Sequence, residues 1–258
     1  MTLKSLLKRY RLHQIGYVVG QNGIYNRYLR ETEGWNRHLS LTREIIIETV
    51  EKLKPKSICF LGSGWLLDVP MEQLLSKQVN ITLVDIYHPP QVAKRYAQHS
   101  RVKFLTSELT GGFVDFISTT TPRRLNFFQL ANYLNRNAAP RFDADLVASL
   151  NILSQLSDIP LEYLRRRAKI PETLLLELAG TIQQRHIDSL PSGKSLIITD
   201  IQEEYSDDSG KLLAVRPTVY VDLSMLSQVR EWNWRFDTTK TYNEEANTSL
   251  RVVAGLMF

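Results

Sequence analysis

The sequence predicts an α/β chain built on a doubly wound, mostly parallel sheet, and three observations carry that expectation. From Ser57 onward, short apolar β-rich runs alternate with helical stretches, the pattern of parallel βαβ units. The first run ends in a glycine turn, Gly62-Ser63-Gly64, and the second ends in Asp85. The tail alternates Trp232, Trp234 and Phe236 and closes with the β-rich run 250–258, giving two strands antiparallel to each other. A chain of 258 residues suits one such domain with additions rather than two full domains.

Taken in order, Leu3, Leu6, Leu7, Tyr10 and Ile15 have helical spacing and predict a short amphipathic helix over 3–15. Ser40 or Thr42 is placed to cap a second helix ending near Leu53, before Pro55. Strands are expected at 57–61, 79–84, 102–105, 146–150 and 196–199. Helices are expected at 68–77, with Pro70 in the first turn, and at 92–99. The long connection 110–142 is expected to hold a helix at 125–134. Residues 160–190 read as an inserted helical pair broken at Pro171, with Leu174, Leu175, Leu178 and Ile182 as a core stripe. Residues 203–208 read as an acidic loop. The domain division is therefore an N-terminal helical cap, 1–55, and an α/β domain, 56–258.

Composition excludes several classes. Hydrophobic residues at 43% and charged residues at 23% rule out a disordered or fibrous chain. No apolar window is long enough for a transmembrane helix, and the basic N-terminus lacks the pattern of a signal peptide. A single cysteine, Cys59, excludes internal disulfides and Cys-rich zinc sites, so no metal is expected and the chain reads as cytoplasmic. The net charge of +5 is mild and its basic residues are scattered, including Arg123, Arg124 and the Arg165–Arg167 run. RNA thus stays open as a partner without being demanded.

A strand that ends in Gly62-Ser63-Gly64 lets backbone approach a ligand, and a following helix N-terminus would add free N–H groups. Asp85 ends the next strand, where a carboxylate can accept both ribose hydroxyls of a nucleoside. The dinucleotide fingerprint fails at Leu67, where it needs glycine. The P-loop-like Ser192-Gly193-Lys194-Ser195 precedes a strand instead of following one, and Asp188 stands where its first glycine should be.

Several segments, in order, resemble the motifs of the class I, Rossmann-like, S-adenosylmethionine-dependent methyltransferases. Ile58-Cys59-Phe60-Leu61-Gly62-Ser63-Gly64 is similar to their first motif, and Leu83-Val84-Asp85-Ile86 to their acidic second strand. Thr106-Ser107-Glu108-Leu109 resembles the segment after strand three, and Asp145 to Asn151 the strand-four motif. Leu190 to Ile198 is similar to the approach to strand five. The resemblance implies a seven-stranded sheet, S-adenosyl-L-methionine as cofactor, and methyl transfer to a small or medium acceptor at oxygen or nitrogen. It implies that Gly62, Ser63 and Gly64 pass beneath the methionyl and ribose groups and that Asp85 holds the ribose. Ile86 would pack on adenine, with Glu108 and Leu109 at its edge.

Phe60 and Leu66 depart from the pattern, which usually has an acidic residue and a glycine there. Asp68 or an N-terminal residue is the expected substitute for the missing carboxylate. These departures motivate a second reading, a degenerate methyltransferase fold serving as a binding scaffold; an RNA methyltransferase is the third. Asn151 and His38 are the candidate catalytic residues, with Tyr25, Trp35 and Gln155 as candidate substrate contacts. Tyr25, Trp35 and His38 lie before strand one, where a lid is expected, and His38 could take a proton near neutral pH. His88 is expected at the rim of the adenine pocket. Strand four ends in Ser149-Leu150-Asn151-Ile152, which lacks the Pro-Pro tetrapeptide of nucleobase amino-methylating enzymes.

Overall fold

The computed structural model describes residues 10–121 and 124–257. A helical stretch at 10–15 leads into α1 (Tyr17–Arg30) and α2 (Thr32–Leu53). The sheet region then runs β1 (Ser57–Leu61), α3 (Met71–Ser76), β2 (Asn80–Asp85), α4 (Pro90–Tyr96) and β3 (Val102–Thr106). Next come α5 (Phe113–Thr119), α6 (Phe127–Arg136), β4 (Leu146–Leu150), α7 (Gln155–Arg167) and α8 (Glu172–Ser189). The last elements are β5 (Ser195–Ser206), β6 (Leu212–Pro217), β7 (Leu226–Asp237) and β8 (Asn247–Met257). Residues 3–9 of the expected first helix, Arg123 and Phe258 lie outside the described residues.

The strands form one sheet in the order β3-β2-β1-β4-β5-β8-β7, with β6 paired to the outer half of β5. Pairings from β3 to β5 are parallel, and those of β5, β7 and β8 are antiparallel. The expected seven-stranded sheet is therefore present, with an eighth strand added. β1 and β4 are apolar almost throughout because both faces are covered. Cys59 and Leu61 point into one core with Ile117, Leu130 and Leu164, while Ile58 and Phe60 point into the other with Trp35, Ile46 and Leu74. Asp145 ties the start of β1 to β4: its Oδ2 accepts from the backbone N–H of Lys56 and Ser57 at 2.9 and 3.0 Å.

Four expectations need correction. The second helix begins at Thr32, so Ser40 and Thr42 are interior residues and not caps. Its buried face, Trp35, His38, Leu39, Thr42, Ile45, Ile46 and Thr49, is helically spaced but partly polar, which hides its first turns from a count of apolar residues. The helix after the glycine turn starts only at Met71, so its N-terminal N–H groups are not at that turn. Residues 203–206 continue β5, and Glu203 is buried rather than in a loop. β6 was missed because every one of its residues is exposed. The pair α7 and α8 forms the crossover from β4 to β5 and contributes Leu161, Leu164, Leu175, Leu178 and Ile182 to the core. Among the described residues, no helix is long and apolar enough to cross a membrane.

Candidate active site

The chain leaves β1 toward one face of the sheet and β4 toward the other, so a crevice opens between their carboxyl ends. Gly62 has φ +80 and Gly64 φ +41, and both turn backbone into that crevice. A Cβ at Gly62 would lie 2.8 Å from Ile152 Cβ and 3.0 Å from the Leu150 carbonyl, so glycine here also permits contact with the end of β4. Leu66, at the position where a further glycine is common, still has φ +58, a conformation that costs a leucine roughly 1 kcal/mol.

Asp85 closes the turn from the neighbouring strand. Its Oδ2 accepts from Gly64 N–H at 2.8 Å and its Oδ1 from Tyr87 N–H at 3.2 Å. Burial raises its pKa, and these backbone donors oppose the rise. A cavity of about 380 Å³ runs over the turn, lined by Gly62, Ser63, Gly64, Asp85 and Ile86. Asn151 and Gln155, at the end of β4 and the start of α7, line it as well, as do Trp35 and His38 from α2. Glu108 and Leu109 line a small adjoining recess of about 30 Å³ that shares Tyr17, Gly62, Asp85, Ile86 and Gln155 with the main cavity. Glu108 Oε1 also accepts from Val114 N–H at 3.0 Å, which anchors the first turn of α5.

The structure gathers the sequence-predicted residues around the crevice except Tyr25 and His88. Tyr25 does not line the cavity; it stacks on Trp65 at 4.3 Å, and Trp65 does line it. Trp65 Nε1 donates to the Gln21 carbonyl at 2.8 Å and so fastens the glycine turn to α1. Trp35 is mostly core: its Nε1 donates to the Phe236 carbonyl at 2.9 Å, and its ring stacks on Phe236. His88 bonds the Leu105 carbonyl at 3.2 Å and sits edge-on to Phe104, outside the cavity lining.

His38, the expected proton acceptor, is enclosed by packing. It is 1% exposed and stacked flat on Trp234 at 3.8 Å, and burial pushes its pKa down to about 3. Trp232 Nε1 donates to its Nδ1 at 3.2 Å, so the ring proton of neutral His38 resides on Nε2. Nε2 lies 3.3 Å from Asn151 Nδ2, and that amide nitrogen donates to Asp68 Oδ2 at 2.9 Å. His38 is therefore packed between Trp234 and the end of β4. Phe60 is wholly buried in the core, and Asp68 joins Asp85 as a second carboxylate in the cavity lining close to the turn in sequence.

Sequence reasoning missed a second set of carboxylates, Asp158, Asp200 and Glu203, at the β5 end of the cavity. Asp200 and Glu203 would point to opposite faces of a regular strand, but the register shifts between Asp200 and Gln202 and brings both to the cavity. Asp200 accepts from Ser154 Oγ at 2.6 Å, and Glu203 from Arg216 Nε at 2.9 Å and Tyr242 Oη at 2.5 Å. Asp158 follows Gln155 by three positions on α7, the one signal legible beforehand. Burial, with Asp200 and Glu203 nearby, pushes Asp158 up to about 7, although its own surface is open to the cavity and solvent there screens part of the effect.

No family model and no curated protein matches the chain. Among solved structures, it is similar to the 1,6-didemethyltoxoflavin-N1-methyltransferase of Burkholderia thailandensis, solved with 1,6-didemethyltoxoflavin and S-adenosylhomocysteine. That similarity has a TM-score of 0.43 and 13% identity, over 95% of this chain and 90% of that one. It is also similar to the N-methyltransferase NodS of Bradyrhizobium japonicum WM9 in complex with S-adenosylhomocysteine, with a TM-score of 0.38 and 12% identity over 81% of this chain and 86% of that one. At such distances, what the cavity does has to be read from its own residues.

Proposed function

We propose that the protein is an S-adenosylmethionine-dependent methyltransferase acting on oxygen or nitrogen of a small or medium-sized acceptor. The observation that carries this reading is one cavity spanning both the Gly62–Gly64 turn with Asp85 and the polar ends of β4 and β5. Ser63 fits a ligand there: the residue lines the cavity and is only 2% exposed, and its Oγ has no hydrogen-bond partner. S-adenosylmethionine, when bound, supplies an electrophilic methyl group on a sulfonium. Asp85 has lone pairs left for ribose hydroxyls, Ile86 offers an apolar face to adenine, and Glu108 and Leu109 border its edge. Asp68 and Asn151 stand where the carboxylate absent at Phe60 would otherwise act on the amino-acid end. Methyl transfer asks the protein chiefly for alignment and dryness, and α1 covers the cavity with Tyr17, Gln21 and Ile24.

A small acceptor is favoured over RNA by the state of the basic residues. Arg165 pairs with Glu172 at 2.6 Å and Arg166 with Glu162 at 2.7 Å, so two of the three arginines in that run are already neutralised. The test is formation of S-adenosylhomocysteine from S-adenosylmethionine with fractions of a cell extract. Turnover should follow the low-molecular-weight fraction; turnover with the RNA fraction alone, or with none, would overturn the reading.

A further inference from the structure

The cavity has two ends of different character. Asp85 and the glycine turn lie at β2 and β1, whereas Asp158, Asp200, Glu203 and Thr218 lie beside β5. Three strand spacings separate β2 from β5, roughly 14 Å at the usual inter-strand distance. Taking the first end as the cofactor site, a deduction that rests on the methyltransferase reading, the second end is left for the acceptor.

Its chemistry is one-sided. Asp68, Asp85, Asp158, Asp200 and Glu203 line the whole cavity, against Arg27 as the one guanidinium in the lining among the described residues. Arg216 bonds Glu203 but does not line the cavity. Arg27 is drawn over the rings of Phe236 and Tyr242 at 4.6 and 4.9 Å, so these aromatic faces at the acidic end already hold a cation. Two buried polar groups in the lining lack partners. Thr218 Oγ1, on a residue 8% exposed, stands near Asp200 without a hydrogen bond of proper geometry. Trp234 Nε1, on a residue 5% exposed, is likewise unbonded. A hydroxyl oxygen beside the Asp200 carboxylate, in a lining that also carries Asp158 and Glu203, suits a ligand with several N–H donors and a positive charge.

We propose that the acceptor is a small aliphatic amine, bound as its ammonium ion by Asp158, Asp200 and Thr218, and methylated on nitrogen. An ammonium nitrogen has no free pair, so one proton must leave before it can react. The Asp158 carboxylate, open to the cavity and crowded by Asp200 and Glu203, takes that proton and passes it to solvent. The freed nitrogen pair forms the new N–C bond as the methyl C–S bond breaks, and the sulfur keeps the two electrons of that C–S bond as a neutral thioether. The charge ends on the methylated ammonium. Upward displacement of Asp200 by burial is in keeping with a carboxylate that lacks its cation.

Calorimetry on the protein saturated with S-adenosylhomocysteine tests this, using propylamine, N-methylpropylamine and 1,4-diaminobutane as probes and the matching alcohols as controls. The amines should bind at least tenfold more tightly than the alcohols. Asp158→Asn and Asp200→Asn, which keep side-chain shape, should each reduce amine affinity about tenfold or more and leave S-adenosylhomocysteine affinity within about twofold. Equal binding of amines and alcohols, or amine binding indifferent to both substitutions, would overturn the amine assignment while the methyltransferase reading stood. Failure of S-adenosylhomocysteine to bind at all would overturn both.

Discussion

His38 and His186 are both imidazoles kept neutral by packing. Burial pushes them down to about 3 and about 4, and each has a neighbour at bonding distance: Trp232 and Asn151 for His38, Ser149 Oγ at 2.9 Å for His186. Their folded pKa values lie below the ordinary value near 6.5, so their contribution to stability is present above that pH. It is lost as pH falls toward the folded values, at about 1.4 kcal/mol per pH unit for each ring while only the unfolded form takes up a proton. The expected NMR result is that neither ring titrates between about pH 8 and 5, where an exposed histidine would show a full transition. A midpoint near 6.5 for His38 would return it to the role of proton acceptor. Glycine 62 makes a second residue-scale prediction. Gly62→Ala adds a Cβ into Ile152 and the Leu150 carbonyl at a positive φ, and should destabilise the fold by about 1–3 kcal/mol in urea denaturation.

At the scale of elements, the docking of α2 on β7 fixes the roof of the cavity. Gly34 allows it: a Cβ there would sit 2.5 Å from the Arg235 carbonyl, and Trp35 beside it bonds Phe236. Gly34→Ala should therefore lower stability by about 1–3 kcal/mol and weaken ligand binding, although Gly34 does not line the active-site cavity. Undiminished thermal stability would show that the roof does not depend on this close approach. The elements most legible in the sequence were β1 and β4, whose boundaries follow from apolar runs covered on both faces. The early start of α2 was not legible, because Glu31, His38 and Thr42 are polar groups whose burial depends on distant partners. Glu31 accepts from Thr238 and Thr239 N–H at 2.7 and 2.9 Å, more than two hundred residues along the chain. β6 was illegible for the opposite reason, since an exposed hairpin strand has no buried side to impose a period.

For the molecule as a whole, the order of strands places the two legible parts of the site, the glycine turn and Asn151, at one crevice. What the sequence withheld was the acidic end of that crevice. It depends on a register shift in β5 and on β6 lying beyond the end of β4, and both are products of tertiary pairing. The distribution of charge also becomes visible only in the fold, with carboxylates lining the cavity and arginines paired on the surface. Gel-shift titration against single-stranded RNA should accordingly show weak retention at low salt and no discrete complex. Tight binding that weakens steeply with salt, and that is lost when Arg165, Arg166 and Arg167 are replaced by alanine, would favour an RNA substrate.

The most direct test of the methyltransferase assignment is a calorimetric titration of S-adenosylhomocysteine into the wild-type protein and Asp85→Ala, with NAD as the comparison ligand. Binding of S-adenosylhomocysteine, weakened in Asp85→Ala by about 1–3 kcal/mol as a charge-assisted acceptor is lost, and no binding of NAD are the expected results. Binding of NAD with none of S-adenosylhomocysteine, or an affinity unchanged in Asp85→Ala, would contradict the assignment of the glycine turn and Asp85 to this cofactor.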